Sequence, residues 1–218
     1  METLNPTLGA FLVASKGAVG DVSEDRAAAL SGIAADLAKL VSGAAEGTKI
    51  NLNFVCTHNS RRSHMGACAA AAVASFHGLG DRVATFSSGT EGTAFYPSAV
   101  AALRSAGFHV STEEGTSETN PVYLICVAAD GSNPMRCWSK AYTDDSICHP
   151  FTAIMVCDSA DKGCPLIKGA QSRHSLTYQD PKAGDKTPEE LEGYQTRLKQ
   201  IAGEMMLVFE EAKAILSS

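Results

Sequence analysis

Cys56 and Arg62 frame the stretch of this chain equipped for chemistry, the run VCTHNSRRS. A cysteine, five intervening residues, an arginine and then Ser63 put a sulfur nucleophile, a guanidinium and a hydroxyl on one short loop. The chemistry this permits is attack of a thiolate on a tetrahedral oxyanion held by the loop. The flanks give the spacing its meaning. Residues 49–55, KINLNFV, alternate enough to be a buried strand, and the alanine-rich MGACAAAAVASF beyond Arg62 reads as a helix. A loop between a strand end and a helix N-terminus turns backbone N–H groups inward, where the helix dipole adds partial positive charge. Thr57, His58, Asn59, Ser60, Arg61 and Arg62 are thus the expected oxyanion cradle. Cys56 is expected at its floor, its thiolate stabilised by the same donors and by Arg62.

Two further groups could join it. Cys157 and Cys164 lie seven positions apart in CDSADKGCP, on a polar loop with a glycine between them. After a local rearrangement such thiols can pair, or reach a neighbouring strand end; they are equally readable as two unrelated thiols, one at a strand end and one beside Pro165. Asp180, in TYQDPKAGDK, is either a carboxyl suited to protonating a leaving oxygen or part of a surface Asp-Pro turn. Cys126, Cys137 and Cys148, with His149 adjoining, are evenly spaced, but neither gaps nor ligand count match a structural zinc site. They read as small buried hydrophobes, and no metal or cofactor is expected.

The elements that must position these residues follow from pattern. Ser23 caps an expected helix over residues 23–42, with Glu24 and Asp25 in its first turn and Leu30, Ile33, Leu37, Leu40 and Val41 on one face. Residues 83–88 read as a second strand, 122–128 as a third and 152–157 as a fourth. Pro97 opens a helix that Gly107 ends. Thr187-Pro188-Glu189-Glu190 reads as a capping box with proline at the first position of the last helix, whose Leu191, Tyr194, Leu198, Ile201, Met205, Val208 and Phe209 keep a helical period as core packing. Alternation of strands and helices predicts an α/β fold of three layers, a four-stranded parallel sheet with helices on both faces. Residues 1–48 form an N-terminal helical extension to a domain over 49–218, and an insertion at 129–151, between strands three and four, is placed to carry substrate or partner contacts.

Composition narrows the class. A net charge of −6 without a dense basic run argues against nucleic acid or an anionic membrane as partner, and no apolar run is long enough to span one. The acid at Glu2 and the short apolar stretch after it make a poor signal peptide, so a cytoplasmic protein is expected. Seven cysteines, an odd number, speak for reduced thiols rather than a disulfide framework.

Taken in order, NFVCTHNSRRS, FSSGTE, MVCDSADKGCP and YQDP resemble the low-molecular-weight protein tyrosine phosphatases, and specifically their thioredoxin-coupled arsenate reductase branch, over about residues 49–216. Both branches have the Cys-x5-Arg-Ser loop and the late Asp-Pro; the reductase branch alone carries the Cys-x6-Cys loop ending in proline. The resemblance implies that the Cys56 thiolate attacks arsenate held by loop amides and Arg62 while Asp180 protonates the departing oxygen. Cys157 then attacks Cys56 and expels arsenite, and Cys164 moves the disulfide to where thioredoxin, or a similar thiol reductant, can reduce it. Ser63 would stabilise the Cys56 thiolate, and Asn59 and Ser88 would hold the loop in shape. His58 stands where the family usually has glycine, and Arg61 where it often has cysteine. The alternative the resemblance implies is a phosphatase acting on phosphotyrosine or another phosphate monoester. That branch usually has tyrosines after Asp-Pro, where this chain has Lys182 and Ala183, although Trp138 and Tyr142 could supply an aromatic wall.

Overall fold

A computed structural model describes residues 3–164 and 166–218; Glu2 and Pro165, both used in the sequence reading, lie with Met1 outside the described residues. The chain begins with two helices, α1 (Pro6–Gly17) and α2 (Glu24–Gly43). Asn5 caps α1 by accepting from the Thr7 N–H, and Pro6 occupies its first turn. Ser23 caps α2 through the Arg26 N–H. Strand β1 (Ile50–Cys56) is followed by α3 (Arg62–Phe76), then β2 (Val83–Gly89) and α4 (Pro97–Ser105). Next come three short strands, β3 (His109–Thr112), β4 (Tyr123–Cys126) and β5 (Met135–Cys137). The chain continues through β6 (Phe151–Met155), a short helix α5 (Asp158–Gly163), β7 (Ala170–Ser175), a 3-10 turn (Pro181–Gly184) and the long α6 (Glu190–Leu216).

The parallel sheet has four strands in the order β2-β1-β6-β7. Its membership differs from the sequence expectation. The expected third strand is β4, and it lies in a separate antiparallel sheet, β3-β4-β5. An apolar run such as VYLICVA satisfies either environment, so its pattern alone could not assign it. The fourth parallel strand is instead β7, AQSRHS, which is polar because it is an edge whose two faces carry hydrogen bonds. Ser172 and His174 point at Asp36 of α2, whereas Arg173 and Ser175 point at Asp161 of α5. That alternation sets α2 and α5 on opposite faces of the sheet. The expected insertion therefore does not interrupt neighbouring strands of one sheet; β3, β4 and the loops around β5 together form a second layer beyond the β2 edge, where Tyr142 N–H donates to the Gly89 carbonyl.

Helix α6 is the platform on which α1, α2, α3 and α4 all pack. Its Tyr194, Leu198, Ile201, Met205, Val208 and Phe209 are buried as the period predicted, while Leu191 is exposed. Its start is corrected: Glu189 holds the cap position without a side-chain bond, and the Thr187 hydroxyl donates back to the Gly184 carbonyl. The proline at 188 lies in the turn leading into the helix rather than at its first position. Gly203 is where α1 crosses α6 closely; a Cβ there would lie 2.5 Å from the Ser15 carbonyl oxygen and 2.6 Å from Val19 Cγ2. Among the described residues no helix is long and apolar enough to cross a membrane.

Candidate active site

Cys56 ends β1 and Arg62 begins α3, so the loop between them spans the strand end and the helix N-terminus. Cys56 is buried, and its sulfur lies 3.1 Å from Ser63 Oγ. Asn59 Nδ2 donates to the same oxygen at 2.8 Å, which leaves the hydroxyl proton of Ser63 free to point at the sulfur. Positive φ falls on Asn59 (φ 44°), one position after the His58 that stands in place of glycine. The His58 ring instead faces outward, its Nε2 3.0 Å from Glu91 Oε1.

The loop is fixed through its carbonyls. Glu91 N–H and the Thr90 hydroxyl donate to the Thr57 carbonyl at 2.9 and 3.1 Å, and the hydroxyls of Thr93 and Ser139 donate to that of His58 at 3.0 and 2.9 Å. Tyr96 N–H donates to the Ser60 carbonyl, and Lys140 N–H to Asn59 Oδ1 at 2.8 Å. Among the described residues, no backbone N–H from Thr57 to Arg62 donates to a protein acceptor. Carbonyls tied outward and free N–H groups are what an anion cradle at a helix N-terminus requires. Gly89 of β2 lies directly beneath, where a Cβ would come within 2.5 Å of the Thr57 oxygen and 2.7 Å of the Asn59 nitrogen.

The two loop arginines face different tasks. Arg62 Nη2 lies 2.5 Å from Asp180 Oδ2 and Nη1 donates to the Tyr178 carbonyl at 2.8 Å, so the loop guanidinium and the Asp180 carboxylate meet. Asp180 Oδ1 also accepts from the Lys182 N–H, capping the 3-10 turn that Pro181 begins. Arg61 turns away: Nε donates to Tyr194 Oη and Nη2 to Asp185 Oδ2, both at 2.7 Å, and its guanidinium lies 4.2 Å from the centre of the Tyr96 ring. Burial raises the Asp185 carboxyl, but hydrogen bonds from Tyr194 and Arg61 outweigh it and hold the group below the usual carboxylate range. The side chain of Arg61 is thus a structural tie, turned away from the Cys56 loop. Ser88 donates to Asn53 Oδ1 at 3.0 Å and supports β1, not the loop directly.

Cys157 follows β6, and its buried sulfur lies 3.5 Å from Thr57 Oγ1, beside the residue next to Cys56. It caps α5, accepting from the Ala160 N–H at 3.4 Å. The segment expected as a polar loop is therefore this short helix, with Cys157 at one end and the half-buried Cys164 at the other. Cys126 and Cys137 are buried as the sequence implied, but Cys148 is exposed. Among the described residues no group of three His, Cys, Asp or Glu side chains converges as a metal site.

Sequence reasoning missed the groups that brace the loop, chiefly Thr93, Ser139, Lys140 and Tyr178. None belongs to a motif, because each acts through backbone or hydroxyl contacts across long separations. Trp138 lies under the Lys140 ammonium, whose Nζ is 4.0 Å from the ring centre. Burial lowers the Lys140 amine, partly offset by the charges of Cys137 and Asp144. A cavity of about 380 Å³ lined by Thr85, Ser87, Met135, Cys137 and Lys140 lies between β2 and the second sheet, and it includes no residue from Cys56 to Ser63.

No family model matches the chain. It is 30% identical over 166 residues to an arsenate reductase of Bacillus licheniformis, covering 75% of this chain and 97% of that protein. Among solved structures it is similar to a low-molecular-weight phosphotyrosine phosphatase from Vibrio cholerae, with a TM-score of 0.49, 18% identity, and 76% of this chain and 97% of that one covered. It is also similar to a thioredoxin-dependent arsenate reductase from Corynebacterium glutamicum, with a TM-score of 0.44, 15% identity, and 95% and 85% covered.

Proposed function

Because the chain belongs to the arsenate reductase family, we propose that it reduces arsenate to arsenite through Cys56, Cys157 and Cys164, with thioredoxin or a similar dithiol as reductant. The Cys56 thiolate attacks the arsenic of an arsenate held by the free loop amides and Arg62, and an oxygen leaves with a proton from Asp180. The Cys157 thiolate then attacks Cys56 Sγ. A disulfide forms, the sulfur–arsenic bond breaks, and its electron pair stays on arsenic, which departs as arsenite. Attack of the Cys164 thiolate on Cys157 frees Cys56 and leaves a Cys157–Cys164 disulfide for the external dithiol.

The observation that carries this reading is the approach of Cys157 to the loop, 3.5 Å from the hydroxyl of Thr57. A phosphatase needs no second thiol there. The last exchange requires α5 to unwind, since its six residues hold Cys157 and Cys164 at opposite ends. A helix this short has little stability of its own in water, so the rearrangement is inexpensive.

Hydrolysis of phosphate monoesters is the second reading, supported by the Arg62–Asp180 pair, which would serve a phosphate as well as an arsenate. Cys164→Ser separates the two. The variant should release about one arsenite per enzyme, trap a Cys56–Cys157 disulfide and then stall with thioredoxin, while any aryl phosphate hydrolysis survives. Sustained thioredoxin-coupled turnover by this variant would remove the relay. Rapid hydrolysis by the wild-type protein with no arsenate-dependent thiol oxidation would favour the phosphatase.

A further inference from the structure

We propose that Arg26, in helix α2 of the N-terminal extension, is a positioning residue for the segment that carries Asp180. The inference deepens the reading above and rests on Asp180 as proton donor. Arg26 Nε and Nη2 donate to the two carboxylate oxygens of Glu204 at 2.8 and 2.7 Å, and Nη1 donates to the Thr177 carbonyl at 3.0 Å. The guanidinium also lies 4.7 Å from the centre of the Tyr178 ring. Glu204 is almost fully buried on α6 and is further fixed by Gln200 Nε2 at 3.2 Å. A bidentate pair on a buried carboxylate has little freedom to swing, so the third donor of Arg26 is aimed at one main-chain oxygen.

That oxygen belongs to the run that reaches the acid. The Tyr178 N–H donates to the Val156 carbonyl at 3.2 Å, the Tyr178 carbonyl accepts from Arg62, and Asp180 follows two residues later. Residues 177–180 are therefore held between two guanidiniums, Arg62 from the loop and Arg26 from α2. Only one of these anchors has a second duty. When an oxyanion enters the cradle, Arg62 serves it as well as its present partners, with a buried Nε that has no partner in the protein, whereas all three guanidinium nitrogens of Arg26 are already committed. Arg26 thus keeps the acid in place while the other anchor also takes on the anion. A proton donor held slightly out of reach loses much of its contribution, because general acid catalysis depends on hydrogen-bond geometry.

A double-mutant cycle tests this, with arsenate KM and the single-turnover rate of arsenite release measured for wild type, Arg26→Met, Asp180→Asn and the combined variant. Arg26→Met should slow release about tenfold with KM nearly unchanged, and should have no further effect in the Asp180→Asn background. Amide hydrogen exchange at residues 177–180 should accelerate in Arg26→Met. An undiminished Arg26 effect on top of Asp180→Asn would overturn the proposal, as would unchanged rate and exchange in the single variant. If Asp180→Asn keeps the wild-type rate, the reading of Asp180 fails, and exchange alone then decides whether Arg26 holds the segment: faster supports it, unchanged overturns it. Should Arg26→Met fold poorly because Glu204 is left buried and unpaired, Arg26→Met/Glu204→Met removes that charge and carries the same comparisons.

Discussion

Asn59 does at residue scale what glycine does in most tight loops, and it adds two bonds that glycine cannot. Its φ of 44° lies in the left-handed region, which asparagine tolerates better than most side chains. The amide then joins Ser63 to the Lys140 N–H, so one buried side chain links the hydroxyl beside Cys56 to the segment that follows β5. Replacement by alanine adds strain and strands the Lys140 N–H. The expected loss for Asn59→Ala is about 3 kcal/mol in denaturant unfolding. Asn59→Gly should recover roughly 1 kcal/mol of that, because it relieves φ without restoring the bonds. Equal losses in the two variants would show that φ contributes nothing.

Among the elements, the α1–α6 crossing has no room for a single added carbon at Gly203. Alanine at position 203 should gain about 1 kcal/mol of helix propensity. The same methyl collides with a main-chain oxygen of α1, which can move only by pushing the helix away. The expected net effect of Gly203→Ala is a loss of about 1–3 kcal/mol, read as a lower midpoint in chemical denaturation; a higher midpoint would refute the crossing. The sequence exposed some elements and hid others for physical reasons. The Cys56–Arg62 loop was legible because strand, loop and helix are local patterns in one short run. The helix over 23–42 was legible from Ser23 and its apolar stripe. Helix α1 carried a usable signal, Asn5 followed by Pro6, that its weak amphipathicity masked. Strand β7 was hidden because an edge strand bonded on both faces needs no apolar residues, and β4 was assigned to the wrong sheet because burial does not specify a partner. The bracing of His58 by Ser139 could not be read at all, since a hydroxyl meeting a carbonyl 81 positions away leaves no periodicity.

For the molecule as a whole, buried His64 makes stability depend on pH. Burial, and then the charge of Lys140, hold its imidazole well below the usual 6.5. The ring stays neutral in the fold, stacked on Phe95 with Nδ1 2.8 Å from Ser87 Oγ, while the unfolded chain takes up a proton below about pH 6.5. The unfolded state then binds more protons, so stability is full above that pH and falls by about 1.4 kcal/mol per unit below it. His77, lowered by burial and by Lys213, acts in the same direction. Unfolding free energies at about pH 7.5 and 5.5 should differ by more than 1 kcal/mol in the wild type and by clearly less in His64→Gln. An equal difference in both would place the proton uptake elsewhere. The platform role of α6 also has a consequence in time. Arg26 and Glu204 are 178 residues apart, and α1 and α2 seat their apolar faces on a helix that is synthesised well after them. Until α6 is made, the buried sides of α1 and α2 are without their cover, so the nascent chain presents sticky surface throughout the synthesis of the residues between them. Docking of α6 then closes α1, α2 and the segment at Thr177 together, through contacts that none of them can make alone.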